Sequence, residues 1–169
     1  MEGLETIGFG GSCHWCTEAV FQSVNGVEKV EQGWISPSDD LESFSEAVLV
    51  NFDPAVVSVS TLVAIHLHSH SSTASHSMRS KYRSAAYVFD EVQGGEVKRA
   101  LTAVEQELGG TVITQVLTFG AFTLNSAEFL DYYATDPDRP FCKTYIEPKL
   151  KALVIRFGGQ MKIALPENK

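Results

Sequence analysis

Thr6–Val24 reads TIGFGGSCHWCTEAVFQSV, and this stretch decides the fold. Thr6–Phe9 is a short apolar strand, broken by Gly10-Gly11-Ser12. Beyond it Trp15, Ala19, Val20 and Val24 recur at i, i+4, i+5 and i+9, the stripe of an amphipathic helix. Ser12 is an N-cap candidate and Asn25-Gly26 a stop. The chain therefore goes strand, glycine turn, helix, with Cys13 and Cys16 in the first helical turn.

Working outward, Val27–Ile35 reads as a second strand and Ser36–Ser43 as a polar loop. Phe44–Phe52 alternates Phe44, Glu46, Val48, Val50 and Phe52 against Ala47, Leu49 and Asn51, and Asp53-Pro54 ends it. Val59–Leu67 reads as a helix opening at Ser58 or Ser60. His66–Arg83 is polar and carries four of the five histidines. Ser84–Phe89 is a strand, and Asp90–Leu108 a helix capped by Asp90 and stopped by Gly109-Gly110. Thr111–Phe119 is a strand, Phe129–Ala134 and Glu147–Val154 are short helices, and the tail from Pro166 is loose. The order β-α-β-β-α-β-α-β predicts an α+β fold: a two-layer sandwich with a ferredoxin-like (split βαβ) core, a mixed or antiparallel sheet, and C-terminal helical and loop additions. Nothing marks a linker, so residues 1–169 are expected to form a single catalytic domain.

Composition narrows the function. Thirteen basic against 21 acidic residues give a net charge of −8, which argues against nucleic acid as a partner. The start carries two acids and no basic segment, and no apolar run approaches a membrane span, so a cytoplasmic protein without membrane contact is expected. A monomer is expected. Three cysteines suit a reducing compartment better than a disulfide framework.

Each cysteine has its own reading. Cys13 follows two glycines at a helix start, where orphan N–H groups and the helix dipole favour thiolate. Cys16 completes a Cys-x-x-Cys pair, the spacing of a redox dithiol or of half a zinc site. The other zinc half could come from His66, His68, His70 or His76. Helix capping and solvated surface compete with that reading, and no metal is assigned. Cys142 lies in a turn-rich stretch beginning at Asp136, where a resolving thiol could swing toward a distant site.

Gly11–Glu18 resembles the Gly-Cys-Phe-Trp signature of the A-type peptide methionine sulfoxide reductases. Phe44–Val48 with Phe52-Asp53-Pro54 is similar to the family's His-Ala-Glu-Ala-Val and Tyr-Asp-Pro. Lys81–Ala85 is similar to its Gln-Tyr-Arg-Ser-Ala, and Pro137–Cys142 resembles the segment with its resolving cysteine. The resemblance implies thiol-dependent reduction of methionine S-sulfoxide, free or protein-bound, without a cofactor. Cys13 would attack the sulfoxide sulfur and become a sulfenic acid. Glu46, kept protonated by burial, would be the acid, and Tyr82 would bond the sulfoxide oxygen. Trp15 with His14 would wall the methyl pocket. Cys142, or Cys16 as a second candidate, would form a disulfide with Cys13, reduced by thioredoxin or a similar dithiol.

Four features depart from the family pattern. His14 replaces a Phe and could share a proton with Cys13. Ser77 replaces an Asp, Asn125–Leu130 lacks a Tyr and a His, and the stretch after Gly33-Trp34 is short. Two other functions stay open: a general thiol–disulfide oxidoreductase using Cys13 and Cys16, and a metal- or ligand-binding module without turnover.

Overall fold

The structure, a computed structural model, describes residues 3–70 and 82–162. His76, Ser77, Lys81 and the tail from Pro166 lie outside the described residues. Strand β1 (Glu5–Gly10) leads through the glycine turn into helix α1 (His14–Gln22). Strands β2 (Val27–Pro37) and β3 (Ser45–Phe52) follow, then α2 (Val59–His68) and β4 (Ala85–Val88). Helix α3 (Glu91–Leu108) precedes β5 (Gln115–Leu124). The chain closes with the short α4 (Tyr132–Thr135), a π-helical turn over Cys142–Ile146, and α5 (Glu147–Phe157).

The α+β class and the mainly antiparallel sheet agree with the pattern of the sequence; the sandwich does not. Among the described residues the strands run β1-β3-β2-β5-β4 and close into a barrel. A ferredoxin-like sheet leaves two outer edges open. Here β4 pairs antiparallel with β1 (Gly8 with Tyr87) and parallel with β5 (Ala85 with Gln115), so one short strand joins both edges. The parallel pair needs a crossover, and α3 supplies it.

Closure gives each strand one face toward the helices and one toward the barrel interior. Ile7, Phe9, Val48, Val50, Phe52, Ala86 and Val88 pack under the helices in the main core. The alternate set, Ile35, Ala47, Ala85 and Tyr87, forms a second small core inside the sheet. Space there is tight: a Cβ on Gly8 would stand 2.9 Å from Ile35 Cδ1 and 3.0 Å from Tyr87 Cβ.

Arg83 clamps one end of this interior. Its Nε donates to Tyr87 Oη at 2.9 Å and Nη1 to Ser43 Oγ at 2.9 Å. Its Nη2 reaches the carbonyls of Ser43 (2.9 Å) and Ile35 (3.2 Å). The clamp ties the β2–β3 loop to β4 and pairs the hydroxyl of fully buried Tyr87. Arg83→Met keeps the apolar stem and removes these charge-assisted bonds. It is expected to cost about 2–3 kcal/mol, since bonds to a charged group each contribute roughly 1.5–3 kcal/mol and solvent replaces some of them. Thermal unfolding checks this, with a fall of roughly 4–12 °C expected for a chain of this size.

Candidate active site

Gly10 and Gly11 set the geometry. A Cβ on Gly10 would meet the carbonyl oxygens of Glu46 (2.9 Å) and Arg83 (3.1 Å). Gly11 has φ +149°, and a Cβ there would meet the His70 ring at 2.6 Å. So β1 ends wedged between β3 and β4, and the turn lies against the end of α2. His66 Nε2–H donates to the Gly10 carbonyl at 2.7 Å. His70 Nδ1–H donates to the His66 carbonyl at 2.6 Å, and its Nε2 lies 2.7 Å from Ser84 Oγ, which bonds Thr114. His66 Nε2 and both ring nitrogens of His70 are thus engaged in anchoring the turn. Among the described residues no group of three His, Cys, Asp or Glu could hold a metal.

Cys13 is the N-cap of α1, one residue later than the Ser12 expected, and its carbonyl accepts from the N–H groups of Cys16 and Thr17. Cys16 sits three residues on, in the first turn. All three cysteines are free thiols. Interaction with the neighbouring Cys13 thiol lowers Cys16 to about 7, with help from the positive charge of Lys149. Cys13 is itself pushed up, first by its neighbour Cys16 and then by burial. The two thiols thus ionise as a pair, and the charge of Lys149 favours a thiolate there.

A cleft of about 700 Å³ opens on this pair. Cys13, Cys16, His70, Tyr82, Phe141 and Lys149 are among its lining residues. Tyr82 and Cys13 thus face the same cleft. Glu46 begins the helix-covered face of β3 and is 5% exposed. Its charge bears on both thiols.

His14 does not stand on the lining of the cleft. Its ring turns inward, 4% exposed, to Glu46 and to the Gly33 carbonyl. Trp15 stacks on Tyr132 (4.2 Å between centroids) and meets Phe141 edge-on at 5.4 Å, so it backs the aromatic rim of the cleft. Cys142 is fully buried and its Sγ–H points to the Asp136 carbonyl at 3.7 Å. Burial pushes that thiol up, and the charge of Cys16 adds to the shift.

The comparisons decide the family. The model of the peptide methionine sulfoxide reductase family matches residues 5–159. The chain belongs to the A-type peptide methionine sulfoxide reductases. The MsrA of Sulfolobus acidocaldarius is 30% identical, over 96% of this chain and 100% of its own length. That of Psychrobacter sp. (strain PRwf-1) is 31% identical, over 94% and 99%. Among solved structures, reduced Mxr1 from Saccharomyces cerevisiae has a TM-score of 0.73 at 18% identity, covering 85% of this chain and 91% of that one. Methionine sulfoxide reductase A of Corynebacterium diphtheriae has 0.66 at 22%, covering 81% and 77%. The chain is thus an oxidoreductase for thiol-dependent reduction of methionine sulfoxide.

Sequence reasoning missed Lys149, Gln32, Asn125 and the Gly33 carbonyl. Lys149 lies on α5, 133 positions beyond Cys16, and no local pattern joins them. The ionisation of the thiol pair has a measurable signature. In wild type, thiolate absorbance near 240 nm is expected to rise through pH about 7 as the Cys13/Cys16 pair loses its first proton. Lys149→Met removes a positive charge that favours the thiolate, so the midpoint moves to higher pH. Cys16→Ser removes the low-pH step.

Proposed function

We propose that this reductase works through Cys13 as nucleophile, Glu46 as acid and Tyr82 as donor to the sulfoxide oxygen. The observation that carries this reading is the placement of Cys13 and Tyr82 on one cleft, with the Glu46 carboxyl buried against the helix start beneath it. The proton of Cys13 passes to Cys16. The Cys13 thiolate attacks the sulfoxide sulfur while the oxygen takes a proton from Glu46, so that a bond between the two sulfurs forms as the S–O bond breaks and hydroxide is released. The hydroxide then attacks Cys13 Sγ, the bond between the sulfurs breaks, methionine leaves, and the oxygen ends on Cys13 as a sulfenic acid. The sum is R–S(O)–CH₃ plus Cys13–SH giving R–S–CH₃ plus Cys13–SOH.

Cys16 is then the thiol best placed to resolve the intermediate. It stands three residues from Cys13 in the first helical turn and lines the same cleft. Cys142 is buried and pushed up. Cys16–SH attacks Cys13–SOH, water leaves, and a Cys13–Cys16 disulfide forms. A thioredoxin-like dithiol reduces it; yeast Mxr1 has been solved in complex with Trx2, at a TM-score of 0.60 to this chain. Cys142 keeps a later role, taking the disulfide from Cys16 by exchange. We place this activity in one catalytic domain, acting in the cytoplasm on free or protein-bound methionine sulfoxide. Among the described residues no helix is long and apolar enough to cross a membrane.

The test uses methionine S-sulfoxide and purified protein. Cys13→Ser is expected to form no methionine; turnover by that variant overturns the assignment. After one turnover without reductant, peptide mapping should find Cys13 joined to Cys16 and Cys142 still free. A Cys13–Cys142 bond instead would make Cys142 the direct resolver. Cys16→Ser should keep one stoichiometric turnover and lose thioredoxin-driven recycling.

A further inference from the structure

The family pattern has an apolar ring after the nucleophile, and this chain has an imidazole that faces away from the cleft. Its surroundings are fully specified by hydrogen bonds. His14 Nδ1 lies 2.9 Å from the Gly33 carbonyl oxygen. A carbonyl only accepts, so Nδ1 carries a hydrogen. The other nitrogen, Nε2, lies 3.2 Å from Glu46 Oε1 and 3.4 Å from Asn125 Nδ2.

The orientation of Asn125 is set by its neighbours. Its Oδ1 accepts from the Ser126 N–H at 2.8 Å, so its amide nitrogen is the end turned to His14. That nitrogen also donates to Gln32 Oε1 at 2.7 Å. Gln32 is oriented in turn by donating Nε2–H to the Phe129 carbonyl at 2.9 Å. Two backbone carbonyls and one backbone N–H thus fix all three side chains, with no free choice of amide flip.

Asn125 presents an N–H to Nε2, so Nε2 is an acceptor and the ring is neutral. A bare carboxylate oxygen and a bare ring nitrogen at 3.2 Å would be two acceptors with nothing between them. The contact is satisfied when one hydrogen sits on Oε1 and points to Nε2. Oε1 also faces the His14 backbone N–H at 3.4 Å, which a hydroxyl oxygen can accept while donating.

We propose that His14 is a positioning residue of the reductase, holding the Glu46 carboxyl in place in the resting site with one hydrogen shared between Oε1 and Nε2, which Glu46 gives up to the sulfoxide oxygen when substrate binds. It acts through Glu46 and touches neither thiol nor cleft. The Gly33 carbonyl fixes its tautomer, as an orienting acceptor does for a catalytic imidazole. The proposal rests on the reading of Glu46 as the acid, and the experiment separates the two.

The first readout needs no turnover. Nitrogen-15 NMR of labelled wild-type protein at neutral pH should show His14 as the tautomer with hydrogen on Nδ1 and none on Nε2. The opposite tautomer, or hydrogen on both nitrogens, overturns the proposal. The second is kinetic. His14→Phe, which installs the ring of the family pattern, should lower kcat for methionine S-sulfoxide by between about tenfold and a hundredfold, less than the loss of a general acid itself. KM should stay unchanged, because the ring does not touch the cleft. Glu46→Gln can donate an amide N–H to Nε2, so it should keep the His14 tautomer while losing turnover. Wild-type kcat in His14→Phe with Glu46→Ala inactive overturns the positioning role and leaves the acid. Full activity in Glu46→Ala overturns the acid reading, and the proposal falls with it.

Discussion

Two glycines with no room for side chains hold the site together. Gly10 is pressed between the backbones of Glu46 and Arg83, and Gly11 lies under the His70 ring. A single close approach thus fixes four things at once: Glu46 on β3, Tyr82 just before β4, the histidine anchor at the end of α2, and the start of α1. Cys13 reaches its place because the chain can turn there with φ +149°. A methyl group at either position would separate elements that the chemistry needs within reach of one cleft.

Barrel closure makes that wedge rigid. β1 is held on both sides, by β3 over Glu5–Gly10 and by β4 over Gly8–Gly10. An edge strand can shift or fray, whereas a strand paired on both sides has its register fixed twice. The small interior core and the Arg83 clamp stabilise the same end of the sheet from within. The segment of the third thiol is built differently. Cys142 starts a π-helical turn, a local departure from regular helix geometry that functional sites often use. Rigid strands carry Glu46, and an irregular helix carries Cys142.

Much of this was legible in the sequence where the signals are local. Asp90 caps α3 and Gly109 ends it in the left-handed conformation, and Ser58 caps α2, each through a side chain or φ that the residue type dictates. Strand ends were less legible. β2 runs on to Pro37 and β5 through Gly120 to Leu124, because the two strands pair with each other across a register shift at Ser36/Pro37. Turn-forming residues inside a strand are rescued there by a partner some 85 positions away. Barrel closure is illegible for the same reason: alternation in Ala85–Val88 shows which faces are apolar and says nothing about which neighbours the strand takes. The cysteines were found by spacing. The charge that favours a thiolate in the pair comes from distant Lys149, and which way His14 faces depends on Gly33, Glu46 and Asn125.

Charge balance explains why a polar ring is tolerated where an apolar one is expected. The Glu46 charge raises both thiols, so an ionised carboxyl and a thiolate compete for the same small volume. With a hydrogen held on the carboxyl, a thiolate of the pair meets Lys149 and the helix start with little opposition. An apolar ring would reach the same balance by excluding water from the carboxyl. His14 reaches it by supplying an acceptor for the carboxyl hydrogen, at the cost of a buried network whose every member must be satisfied. The chain meets that demand with Gln32 and Asn125, two amides that bear no chemistry of their own. Their presence makes sense once the imidazole they serve is seen to face the acid instead of the substrate.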